Sequence, residues 1–88
     1  MGQHFLIQES IAERLAHSLV LDDCDAIVEV GPGKGVLTKY LIPLSLPVVA
    51  VELDRDLIPF LEKEFNSSTF RLVQGDILRV RLDELFSP

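Results

Sequence analysis

The octapeptide VEVGPGKG, residues 28–35, constrains the chain more than any other stretch. Three alternating glycines stand directly behind a β-branched run and ahead of an apolar-periodic one. The backbone must therefore leave a buried strand through a tight loop and enter a helix. Gly31 permits the sharp turn, Gly33 lets backbone approach a ligand closely, and Gly35 admits tight packing where the helix starts. An ordinary glycine-rich connection has the same outline, so residues at other strand ends must decide whether this loop binds anything.

The rest of the chain supplies those strands. Ile7, Ile11, Leu15 and Leu19 recur every four residues, with Ala12, Ala16 and Val20 widening the stripe, which predicts an amphipathic helix over 8–20. After LDDCD breaks that pattern, AIVEVG predicts a buried strand over Ala26–Val30. VLTKYLI predicts a helix over 35–42 that stops before Pro43. PVVAVEL forms a second strand with Pro47 at its edge. Asp54 or Asp56 then caps a third helix whose buried stripe is Leu57, Ile58, Leu61 and Phe65, with Pro59 in the first turn, where a missing N–H costs little. NSST connects to a third strand, FRLVQ, which GDIL leaves, and LDELF adds one helical turn. A leading helix followed by βαβαβ, with strands about 20 residues apart, implies an α/β fold with a parallel, doubly wound sheet, of which half is present.

In such sheets ligands bind beyond the carboxyl ends of the strands. Glu52 ends the second strand, 21 residues after Gly31, where a carboxylate can accept both hydroxyls of a ribose. Asp76 ends the third, where it can accept from an adenine amino group while Ile77 flanks the ring. A charged residue leaving a strand for solvent is the alternative at each position. A dinucleotide fingerprint needs a further glycine where Val36 stands, so the G-x-G-x-G spacing favours S-adenosylmethionine. Glu29 agrees, because an acid beside the loop suits a cationic amino-acid tail and repels phosphates. Lys34 dissents; it is read as a solvated lysine.

Composition removes several classes. Eight basic residues against fourteen acidic ones leave a net charge of −6, which makes the segment itself a poor nucleic-acid binder. Cys24, the one cysteine, allows no internal disulfide and has no matched base nearby. No apolar run reaches the roughly 18 residues that span a bilayer, no cleavable leader is visible, and Leu6 stands where a myristoylation motif needs Ser or Thr. A cytoplasmic location without membrane contact is the expectation, and no metal site is read. With 48 per cent apolar residues in only 88, the chain also reads as a piece of something larger.

At this point the residues carry a resemblance. GQHFL, VEVGPGKGVLT, VVAVELDRDLIPFLE and VQGDIL resemble, in order and over nearly the whole chain, the opening segment and first three motifs of the small-subunit ribosomal RNA adenine dimethyltransferases. The resemblance implies the first half of a Rossmann-like S-adenosylmethionine-dependent methyltransferase domain over residues 1–88. It also implies that the front segment lies over the bound cofactor, with contacts from His4 and Leu6 and with Gln3 nearby. The implied reaction is dimethylation of two adjacent adenines near the 3′ end of small-subunit rRNA. The family's Asn-Leu-Pro-aromatic motif, which grips the target adenine, and its helical RNA-docking domain are expected beyond Pro88. No catalytic residue is therefore expected within these residues. The segment is expected to be inactive alone and to self-associate through uncovered edges and faces. Three rivals stay open: the antibiotic-resistance methyltransferases of large-subunit rRNA, half of an NAD-dependent dehydrogenase, and a non-enzymatic nucleotide-binding fragment.

Overall fold

The computed structural model describes residues 9–80. Its elements are α1 (Glu9–His17), β1 (Ile27–Val30), α2 (Thr38–Leu41), β2 (Val48–Glu52), a 3-10 turn (Arg55–Leu57), α3 (Ile58–Glu64) and β3 (Phe70–Gln74). The three strands are parallel in the order β1-β2-β3. Register runs from Ile27 opposite Val48 to Val30 opposite Val51, and from Val48 opposite Phe70 to Glu52 opposite Gln74.

All five residues of β2 are buried, as a continuous β-branched run between two parallel neighbours requires. Side chains alternate across it, so the two faces have separate cores. On one face Val48 packs with Ala16 and Leu41, flanked by Ile27, Leu37, Tyr40 and Phe70. On the other, Val49 and Val51 are covered by Val73, Ile77 and Val80. Full burial of one such valine contributes roughly 1.5–3 kcal/mol, so β2 anchors everything else.

Three expectations are corrected. First, α1 ends at His17, and its bulky stripe is not the buried face: Ile11, Leu15 and Leu19 are each about half exposed, while Ala12 and Ala16 are buried. Small side chains let this helix approach the sheet and α2, where Glu9 accepts hydrogen bonds from the Lys39 ammonium and the Tyr40 hydroxyl. Second, α2 is one turn long, because residues 33–37 are spent on turns. Third, β1 is not a buried strand. Glu29 is its one buried residue, and Val28 and Val30 face outward at the sheet's edge among the described residues.

The third helix stands where predicted, behind a 3-10 turn that Asp54 caps, but of its predicted buried stripe only Leu61 is buried, while Leu57, Ile58 and Phe65 are half-buried. Asp54 Oδ1 accepts from the Asp56 N–H at 2.9 Å, Pro59 sits in the first turn, and Leu61 is fully buried. β3 spans the predicted FRLVQ. The expected turn at LDELF lies outside the described residues.

Candidate functional site

The carboxyl ends of β1, β2 and β3 are held level by backbone. Gly31 N–H donates to the Val51 carbonyl at 2.8 Å, and Gly75 N–H to the Glu52 carbonyl at 2.9 Å. Each strand thus hands its successor a loop at the same height, which brings the predicted rim into being.

The glycine loop begins at buried Pro32, whose carbonyl accepts from Gly35 N–H at 2.9 Å. Gly33 has φ +60 and open space where a side chain would stand, so bare backbone faces outward. Gly35 has φ +87, and a Cβ there would overlap Cε2 and Cζ of Phe65. The Phe65 ring also packs on Phe70, with centroids 5.6 Å apart. Tight packing at Gly35 is thus a contact between the loop and the end of α3.

Glu52 ties this loop to β2. It is 6 % exposed; Oε1 accepts from Gly33 N–H at 3.0 Å and Oε2 from Asp54 N–H at 2.9 Å. Two backbone donors fix the carboxylate plane, and each oxygen retains a lone pair for another donor. Gln74 pins the following loop by donating its side-chain amide to the Leu53 carbonyl at 3.1 Å.

Glu29, 8 % exposed, lies beside it on β1. Its Oε1 accepts from the Thr38 hydroxyl at 2.6 Å. Burial pushes the Glu29 carboxyl above the usual carboxylate range, the Thr38 hydrogen bond offsets part of that, and repulsion from Glu52 adds to it. Two buried carboxylates therefore stand against the glycine loop. Such a pair of anionic acceptors suits hydroxyls and an ammonium and disfavours phosphate oxygens.

The third strand end is looser. Asp76 Oδ1 accepts from Leu78 N–H at 2.9 Å and its carbonyl from Arg79 and Val80, so the residue opens a turn. Ile77 packs on the Val49 and Val51 cluster. The structure thus brings Glu29, Gly31, Gly33, Gly35 and Glu52 together and places Asp76 and Ile77 on the third strand's end of the same rim. Gln3, His4 and Leu6 lie outside the described residues. Thr38 is the site residue that sequence reasoning missed. Its spacing, nine residues after a buried acid, was the available signal.

An open cavity of about 700 Å³ lies at the opposite, amino-terminal ends of the strands, lined in part by Asp25, Ala26, Pro47 and Phe70. It is apart from the carboxyl-end rim. Among the described residues no group of three or more His, Cys, Asp and Glu is placed to hold a metal ion, and no helix is long and apolar enough to cross a membrane.

Comparison with known proteins gives this arrangement its context. The family model "Ribosomal RNA adenine dimethylase" matches residues 1–87. The ribosomal RNA small subunit methyltransferase A of Thermosynechococcus vestitus is 45 % identical over 84 residues, covering 96 % of this chain and 32 % of the relative. The protein of the same name from Porphyromonas gingivalis is 41 % identical over 86 residues, covering 98 % and 33 %. The chain therefore spans about a third of the length of these relatives. Among solved structures, the glycopeptide N-methyltransferase MtfA complexed with S-adenosyl-L-methionine superposes with a TM-score of 0.69 at 26 % identity, covering 85 % of this chain and 35 % of that one.

Proposed function

Because the chain belongs to the ribosomal RNA adenine dimethylase family, we propose that its carboxyl-end rim binds S-adenosylmethionine and forms the cofactor half of an rRNA adenine dimethyltransferase. Its target is two adjacent adenines near the 3′ end of small-subunit rRNA, in the cytoplasm. The observation that carries the reading is Glu52, a buried carboxylate pre-set by Gly33 and Asp54 at the end of β2.

The residues present fit the cofactor. Glu52 takes the ribose hydroxyls, and the bare backbone at Gly33 lets the nucleoside lie close. Glu29 faces the cationic amino-acid end, Asp76 accepts from the adenine amino group, and Ile77 flanks the ring. Gln3, His4 and Leu6 cover the ligand from the front segment. Bound there, the cofactor supplies an electrophilic sulfonium methyl. What these residues contribute is orientation and exclusion of water, which at the upper limit accounts for roughly 7–11 kcal/mol of a barrier. The acidic pair also argues against NAD, whose pyrophosphate would meet two carboxylates.

The acceptor half is not encoded in these 88 residues: they contain no Asn-Leu-Pro-aromatic tetrapeptide to hold a flipped adenine. Alone, the segment binds cofactor without transferring methyl groups, binds RNA weakly because of its −6 charge, and self-associates through the β1 edge and the outward Val28 and Val30. The test supplies radiolabelled S-adenosylmethionine and undermethylated small ribosomal subunits, then counts label in the RNA. The chain should leave the RNA unlabelled, while a full-length relative labels it. Label transferred by the chain at the relative's rate would overturn the division into two halves.

A further inference from the structure

We propose that Thr38 is a positioning residue that aims the Glu29 carboxylate at the cationic amino-acid end of the bound nucleoside. The inference rests on the cofactor reading above and extends it to a residue that touches no ligand.

The geometry is specific. Thr38 opens α2 directly behind the glycine loop and is fully buried. A hydroxyl at a helix start ordinarily bonds local backbone. This one instead reaches across to β1 and donates to Glu29 Oε1 at 2.6 Å. The other buried residue of this short helix, Leu41, belongs to the apolar Val48 cluster. Valine has the same shape and would fill such a position, so the hydroxyl answers a need of the neighbouring carboxylate.

That need is both orientation and charge. With one oxygen held by Thr38, the carboxylate's rotation is restrained and its other oxygen is biased to one direction. The charged group acting on Glu29 is Glu52 of β2, which repels it. Lys39 of α2 is engaged by Glu9 of α1. Thr38 is thus the near donor that favours the ionised form, the form an ammonium requires.

The test titrates the whole chain with two nucleosides that share adenosine and a thioether: S-adenosylhomocysteine, which has the amino-acid end, and methylthioadenosine, which lacks it. Thr38→Val should weaken S-adenosylhomocysteine about tenfold, the size of one lost hydrogen bond to a charged group, and leave methylthioadenosine unchanged. The acid-side loss of S-adenosylhomocysteine affinity should move to higher pH, because Glu29 then protonates more readily. Thr38→Ser keeps the donor and should restore both the affinity and the profile, and this holds as a separate check if the valine variant does not fold. Equal weakening of both nucleosides with an unmoved pH profile would assign Thr38 a structural role and overturn the proposal. So would a serine variant that loses S-adenosylhomocysteine alone. Wild-type chain that binds neither nucleoside would instead overturn the cofactor reading, and this proposal with it.

Discussion

Gly35→Ala tests how the glycine loop is built. At φ +87 a side chain meets its own backbone, which costs about 1–2 kcal/mol. The new methyl would also overlap Cε2 and Cζ of Phe65 and touch Cδ2 at 3.5 Å. Phe65 cannot simply turn away, because its ring packs on Phe70. Overpacking of this kind costs about 1–3 kcal/mol. Stiffening the unfolded chain returns roughly 0.4–1 kcal/mol, so the net loss centres on about 3 kcal/mol. An 88-residue fold has a total stability of roughly 4–13 kcal/mol, so the loss is large and the fold survives it over most of that range. Urea unfolding followed by far-ultraviolet circular dichroism should show the midpoint falling by about 1–3 M. The cause is isolated by repeating the substitution in a Phe65→Leu background, which removes the overlapping ring atoms; there Gly35→Ala should cost only the backbone strain, about 1 kcal/mol. An equal cost in both backgrounds would refute the account of Gly35 as the seat of the Phe65 ring.

Glu29→Gln should separate stability from binding. Burial raises the Glu29 carboxyl above its ordinary value in the folded chain. The folded state then holds a proton more tightly than the unfolded one, so this residue's contribution is intact in acid and is lost as pH rises through the folded value. Removing the charge should raise the melting temperature at neutral pH, with the gain vanishing in acid below about pH 4.3, the unfolded glutamate value. The same substitution should weaken S-adenosylmethionine by roughly 10- to 150-fold, as the loss of a charged hydrogen-bond partner does. Thermal melts across pH and calorimetric titration check the two halves separately.

Much of the fold was legible because parallel strands declare themselves. VVAVE is a short β-branched run and FRLVQ a short strand segment with Phe, Leu and Val, each followed by turn residues, and both appear where the sequence put them. The positions of the rim carboxylates were legible in part for the same reason: Glu52 is the last residue of β2 and Glu29 the last but one of β1, whereas Asp76, expected to end the third strand, lies two residues beyond β3 in a turn. What escaped depended on contacts distant in sequence. The predicted apolar stripe of α1 held Ile11, Leu15, Ala12 and Ala16, yet only its alanines are buried, because close approach to α2 and the sheet selects small residues. α2 looked longer than it is because its apolar spacing continues into a loop whose glycines adopt left-handed turns. Thr38 went unread since its partner lies on another element.

The central claim is that the strand ends form an adenosine site for a sulfonium nucleoside, read through Glu52. Calorimetric titration of the chain with S-adenosylmethionine and with NAD, repeated in Glu52→Gln, tests it most directly. The substitution keeps the shape but turns one acceptor into a donor facing either a ribose hydroxyl or a backbone N–H. The account predicts that S-adenosylmethionine binds, that NAD does not, and that Glu52→Gln costs roughly 1.5–3 kcal/mol. NAD binding as tightly as S-adenosylmethionine, or Glu52→Gln binding with unchanged affinity, would contradict it.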